Sequence, residues 1–250
     1  MDLRGAGCLV TGASSGIGRA AAIRLAGAGA RIVALGRSRP ALDDVAGRTS
    51  GTAIVADLTD PDAVDRAVRE AREALGRLDV LVNNAGEGWA GPFQDMDPVD
   101  AERLLTVNLL APIRLARAVL PDMLKAGRGA IVNVSSIAGH VGVAQEAVYA
   151  ATKAGLIGFS ESLRYELRGS GVTVGGVSPG VIETPFFERR GRPYDRSFPR
   201  PSDPERVAAA IVRAIRSGNA EVFAPAWMAV PARLRGTFPR LYRFLASRFG

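Results

Sequence analysis

The chain has 250 residues, enough to bury a substantial core within a single domain. Its 47% hydrophobic content and mean hydropathy of +0.10 exclude a disordered chain, and its lone Cys8 excludes an internal disulfide framework; with no uninterrupted apolar run of membrane-spanning length and no signal-peptide character in Met1-Asp2-Leu3-Arg4-Gly5, a cytoplasmic protein is implied. The net charge of +7 is nearly all arginine, since Lys125 and Lys153 are the only lysines, and net charge alone gives no case for a nucleic-acid partner.

Ala6-Gly7-Cys8-Leu9-Val10-Thr11 predicts a first buried strand that ends in a glycine-rich turn, with a helix following through Arg24-Leu25-Ala26. Arg31–Leu35 and Thr52–Ala56 predict the second and third strands. Asp60-Pro61 opens a helix, the Asp as N-cap and the Pro at the first helical position. Leu78–Val82 is a fourth strand, Pro98–Lys125 a helix with a kink expected at Pro112, and Ala130–Val134 a fifth strand. Tyr149–Leu167 is a helix, Val172–Val177 a sixth strand, Pro204–Arg216 a helix and Glu221–Ala224 a last strand. Continuous apolar strands alternating with helices imply an α/β domain: a doubly wound parallel sheet, or Rossmann fold, with ligands at the carboxyl ends of its strands.

Thr11-Gly12-Ala13-Ser14-Ser15-Gly16-Ile17-Gly18 joins the first strand to the first helix. Gly12 permits the tight turn, Gly16 lets the backbone approach a pyrophosphate, and Gly18 allows close helix packing; free N–H groups at the helix start suit phosphates. The second strand ends in Leu35-Gly36-Arg37-Ser38, without the acid that would bond a ribose 2′-hydroxyl. Arg37 can pair with a 2′-phosphate, which favours NADP(H), with NAD(H) the alternative coenzyme. Tyr149 and Lys153 lie four residues apart, on one helix face. A nearby ammonium group lowers a phenol's pKa, so the pair can work as an acid/base.

With these motifs in this order, residues 5–217 resemble the short-chain dehydrogenase/reductase family of the Tyr-x-x-x-Lys type. Thr11–Gly18 matches its glycine motif, Asp57-Leu58 the segment that contacts adenine, Asn83-Asn84-Ala85-Gly86 its Asn-Asn-Ala-Gly motif beside the cofactor, and Pro179-Gly180, with Ile182 and Thr184 beyond, the loop at the nicotinamide end. In that family the active serine stands thirteen residues before the tyrosine, which selects Ser136 over Ser135. The resemblance implies reversible hydride transfer between the nicotinamide and a ketone or secondary alcohol. Tyr149 would be the acid or base, Lys153 would tune it and hold the nicotinamide ribose, Ser136 would bond the substrate oxygen, and Asn108 would position a proton-relaying water. No metal is implied, and His140 is the only histidine.

Residues 140–145, Val181, Ile182, Phe186, Phe187 and Trp89 are expected around the substrate, with 188–203 as a mobile lid. Their character suggests an apolar substrate. A 3-ketoacyl group on an acidic carrier protein is the alternative, drawn by the basic surface. A nucleotide-binding regulatory protein without turnover is a further alternative, which would have no need of Asn108, Ser136, Tyr149 and Lys153 together. The sequence divides into residues 1–225, the dehydrogenase domain, and 226–250, a basic amphipathic extension. In the extension Leu234, Phe238, Leu241, Leu245 and Phe249 recur at helical spacing among Arg233, Arg235, Arg240, Arg243 and Arg248, and Pro239 should split it into two short helices. It can dock on its own domain, on a partner subunit or on an anionic membrane surface. A homodimer through the long helices, or a homotetramer, is expected.

Overall fold

The computed structural model describes residues 1–240, 242 and 244. Seven strands form one parallel sheet: β1 (Gly7–Thr11), β2 (Arg31–Gly36), β3 (Thr52–Val55), β4 (Val80–Asn83), β5 (Gly129–Val134), β6 (Val172–Pro179) and β7 (Glu221–Ala224), in the spatial order β3-β2-β1-β4-β5-β6-β7. The order reverses between β1 and β4, which opens a crevice at the carboxyl ends of those strands.

The helices are α1 (Gly16–Gly27), α2 (Arg39–Thr49), α3 (Pro61–Leu75), α4 (Pro98–Leu105), α5 (Ala111–Ala126), α6 (Ala147–Glu166), α7 (Phe186–Arg189), α8 (Pro204–Ser217) and α9 (Ala229–Thr237). They cover both faces of the sheet, which is why its strands are apolar throughout. Alternate residues of β1 serve the two layers: Cys8 and Val10 pack with Ala21, Leu25, Val207 and Ile211, while Leu9 packs with Val64, Val68, Leu115 and Val119. Burial pushes the Cys8 thiol pKa up, so it behaves as apolar filler. The stretch Pro98–Ala126 has the length and hydropathy of a membrane span, yet Leu104, Leu115, Ala116, Val119 and Met123 are buried in the protein core.

The helix starts follow their sequence signals. Asp60 accepts the Asp62 N–H, Asp97 that of Val99 and Asp203 that of Glu205, each just ahead of a proline in the first turn. The irregularity expected at Pro112 is a π-helical segment, Thr106–Leu110, immediately before it, in which the Ala111 N–H donates to the Thr106 carbonyl. Helix α2, whose buried residues are Leu42 and Val45, was not anticipated. In the extension α9 stops at Thr237 and helical structure resumes at Pro239, so the expected break is present; Leu241, Arg243, Leu245, Arg248 and Phe249 lie outside the described residues.

At the amino end of the sheet, away from the crevice, the buried Asp79 carboxylate accepts the Gly7 N–H at 2.9 Å and pairs with Arg77 at 2.7 Å and Arg128 at 3.4 Å. Asp79→Ala leaves that N–H unpaired and two guanidiniums without their anion. Urea unfolding should show a loss of about 3 kcal/mol, with coenzyme affinity unchanged.

Candidate active site

The crevice opens into a cavity of about 1220 Å³ that runs from the glycine turn to the end of β6. That exceeds the roughly 300–1,000 Å³ common for a small-ligand pocket, and it leaves room for a dinucleotide and a second molecule. Every residue expected at the coenzyme site lines it: Gly12, Ser14, Ser15, Gly16, Ile17, Arg37, Asp57, Leu58, Asn84, Ala85, Gly86, Tyr149, Lys153, Pro179, Gly180, Ile182 and Thr184, with the exception of Gly18, which lies behind the turn.

Gly18 serves packing: a Cβ there would stand 2.3 Å from the Gly12 carbonyl oxygen. Gly12 has φ +65°, and its added Cβ would come 2.9 Å from the Ala85 Cα. Asn84 locks the turn by donating to the Thr11 carbonyl at 2.9 Å, while the Thr11 hydroxyl accepts the N–H groups of Asn84 and Ala85, each at 3.0 Å. Ser15, the N-cap of α1, makes no side-chain bond to the helix, and no acid occupies the first turn. The positive end of α1 is therefore open toward the cavity, as a pyrophosphate would require.

At the adenosine end, Arg37 is exposed and forms an ion pair with Glu87 at 2.8 Å. Glu87 is also held by Arg103, at 2.6 and 2.9 Å. Asp57 accepts from the Thr59 N–H and hydroxyl, which hold its carboxyl below the usual range, helped by the nearby Arg103 and Arg37. Sequence reasoning missed Glu87 and Arg103. Glu87 directly follows the Asn-Asn-Ala-Gly motif, but nothing in the spacing links it to Arg37.

Asn108, Ser136, Tyr149 and Lys153 converge at the other end. A Cβ on Gly86 would stand 3.2 Å from Asn108 Oδ1 and 3.3 Å from Lys153 Nζ. Asn108 is fully buried, and its side chain clasps Glu87: Oδ1 accepts the Glu87 N–H at 2.8 Å, while Nδ2 donates to the Glu87 carbonyl at 2.8 Å and to Thr152 Oγ1 at 3.2 Å. The two neighbouring serines divide their roles as strand alternation requires. Ser135 donates to the Lys153 carbonyl at 3.0 Å, whereas Ser136 accepts the Ala138 N–H at 3.1 Å and stands beside Tyr149 in the cavity wall.

Burial dominates the electrostatics of the tyrosine–lysine pair. Burial pushes the Tyr149 phenol up to about 12; the Ser136 side chain pulls it down, Glu146 raises it and Arg190 lowers it. Burial pulls Lys153 down to about 8. Lys153 donates to the Val134 carbonyl at 3.1 Å and lies 5.8 Å from the Tyr149 ring centroid. In this geometry burial is the largest influence on both groups.

The folded Lys153 pKa is about 8 against an ordinary 10.5, so between those values the unfolded chain holds more protons. Stability therefore rises with pH across that window, and the burial cost is complete below pH 8. Lys153→Met should stabilise the coenzyme-free protein by about 1–2 kcal/mol at pH 7, by less as pH approaches 10.5, and should lose turnover. Thermal melts across pH 6–10 check this; a destabilised variant at pH 7 would refute the burial cost.

Trp89, residues 141–145, Val181, Phe186 and Phe187 line the substrate side as expected. Phe186 lies 5.5 Å from the Tyr149 ring. His140 is not among the lining residues: its Nε2 stands 2.9 Å from both Ser178 Oγ and Glu221 Oε1. Its carbonyl accepts from Arg235 of α9. The segment after β6 closes over the cavity, tied down by Arg190 to Glu146 and by Arg192 to Gln145. Trp227, Met228, Pro231 and Tyr242 add a wall that sequence reasoning did not assign to the cavity.

Fold and site define a dinucleotide-binding α/β protein with a buried tyrosine–lysine pair at the far end of the same cavity. Residues 7–195 match the family model described as short chain dehydrogenase. The chain is 37% identical over 219 residues to the oxidoreductase UcpA of Escherichia coli, covering 85% of this chain and 81% of that protein. It is 39% identical over 187 residues to the 3-oxoacyl-(acyl-carrier-protein) reductase FabG of Escherichia coli, covering 74% and 76%. Among solved structures, a short-chain dehydrogenase from Sphingobium yanoikuyae in complex with NADPH superposes with a TM-score of 0.82 at 32% identity, covering 93% of this chain and 95% of that one. The chain belongs to the short-chain dehydrogenase/reductase family.

Proposed function

We propose that the protein is an NADP(H)-dependent oxidoreductase that interconverts an apolar ketone and its secondary alcohol. The observation that carries this reading is the convergence of Ser136, Tyr149 and Lys153, with Asn108 buried behind them near Gly86, at one end of a cavity whose other end is an open helix N-terminus beside Arg37. The NADPH held by the Sphingobium yanoikuyae relative supports the choice of coenzyme.

A bound nicotinamide would supply or take up the hydride. Ser136 and Tyr149 then bond the substrate oxygen together, so charge that develops there meets two fixed donors. Tyr149 gives the proton in reduction; its raised pKa keeps it loaded throughout the neutral range. Lys153, one helical turn away, is placed to hold ribose hydroxyls. The Asn108 side chain is committed to Glu87 and Thr152, so positioning of a relay water falls to its main-chain carbonyl. That oxygen has two lone pairs, and Pro112, four residues on, has no N–H to offer it.

The aromatic and aliphatic lining supports an apolar substrate, and Arg192 and Arg196 at the cavity wall favour a second reading, a 3-oxoacyl group on an acidic carrier. A panel of ketones, secondary alcohols and carrier-bound 3-oxoacyl thioesters, followed at the reduced-nicotinamide absorbance band, tests both. Free ketones turned over as well as carrier-bound ones would end the second reading, and no turnover of any would end the first.

We infer a homodimer, with a homotetramer the alternative, because Val99, Leu105 and Leu110 are 69%, 40% and 44% exposed along the long helices. Light scattering in solution tests it. A cytoplasmic location is part of the same reading, supported by the single buried thiol of Cys8. The contacts of Trp227, Met228 and Arg235 with the cavity and His140 favour an extension docked on its own domain over one lying on a membrane.

A further inference from the structure

We propose that Arg189, on the segment that closes over the cavity, is a ligand of the coenzyme's phosphates; this rests on the NADP(H) reading above. Arg189 ends α7, yet its Nη2 donates to Ser15 Oγ at 3.0 Å, reaching a residue 174 positions earlier in the chain. The same segment touches the next residue of the turn: a Cβ on Gly16 would come within 2.9 Å of the Thr184 methyl.

Charge makes this placement informative. The start of α1 carries a partial positive charge and unpaired N–H groups, and cations there are disfavoured. Ser15 is the N-cap of α1, and no acid in the first turn offsets that charge. Among the described residues no carboxylate lies within ion-pair distance of Arg189, while its neighbours Arg190 and Arg192 are paired with Glu146 and Asp195. A guanidinium held against the positive end of a helix, at the rim of a cavity, is an arrangement that an anion between the two would stabilise. A phosphate satisfies both through charge-assisted hydrogen bonds.

NADP(H) offers two sources of that anion: the pyrophosphate that the helix start faces, and the 2′-phosphate assigned to Arg37. Ser14, next to Ser15, lies against Gly36 just before Arg37, so both are near. The shared chemistry is a phosphate clamped between Arg189 and the turn. Coenzyme binding then draws the closing segment onto the turn before substrate is sealed in.

The test measures dissociation constants of NADPH and NADH for wild type, Arg189→Ala and Arg189→Lys by nicotinamide fluorescence. Arg189→Ala should weaken binding about tenfold, with partial recovery in Arg189→Lys. An equal loss for both coenzymes supports the pyrophosphate as ligand, and a loss confined to NADPH supports the 2′-phosphate. Affinities within twofold of wild type for both would overturn the proposal while leaving the NADP(H) reading intact. Wild-type protein that bound neither coenzyme would overturn that reading and this proposal with it.

Discussion

Tyr149→Phe should lower turnover by about a thousandfold and leave NADPH affinity within about twofold of wild type. The variant keeps the ring that packs against Phe186 and removes only the hydroxyl beside Ser136. The direction of the Tyr149 shift adds a pH signature. Burial holds the phenol protonated to about 12, so reduction has its acid ready at neutral pH, while oxidation needs the phenolate and should climb as pH rises. Steady-state rates in both directions between pH 6 and 10 would show this. A variant that kept more than a tenth of wild-type activity would mean that another group supplies the proton.

Arg37→Asp should move the kcat/KM ratio of NADPH to NADH by about a hundredfold toward NADH, on the scale of a lost charge-assisted contact plus a new repulsion. Arg37 is the cation at the end of β2, and Glu87 and Asp57 both lie near it. Replacing it leaves three carboxylates where a 2′-phosphate would sit. Glu87→Gln should act the other way: Arg37 loses its competing partner, and NADPH binding should tighten several-fold with little change for NADH. Coenzyme ratios unchanged in both variants would show that Arg37 serves only to pair with Glu87.

What the sequence made legible is what lies close together along the chain. The glycine turn, the capping Asp-Pro pairs and the tyrosine–lysine spacing are each set within a few residues, and the strands announce themselves because both sheet faces are buried. Helix α2 was hidden for the opposite reason: Leu42 and Val45 are its only buried residues, too few to make an apolar stripe, and Gly47 weakens its helical character. The ion pair of Arg37 with Glu87 spans fifty positions and leaves no mark in local pattern. The burial of Tyr149 and Lys153 was hidden for a related reason. Helical spacing places Lys153 one turn away but does not reveal that burial dominates the titration of both groups. His140, whose place in a loop fitted a substrate contact and a plain loop residue equally, ties that loop to β6 and β7.

The extension that begins at residue 226 was set apart by composition, yet Trp227, Met228 and Pro231 form part of the cavity wall, while Ser136 stands in the turn after β5 and Tyr149 and Lys153 on α6. The cavity wall is thus shared between the chain around the proton-transfer residues and a segment that arrives last in the sequence. A change at Trp227 or Met228 therefore reshapes the room offered to a guest while Ser136, Tyr149 and Lys153 keep their supports.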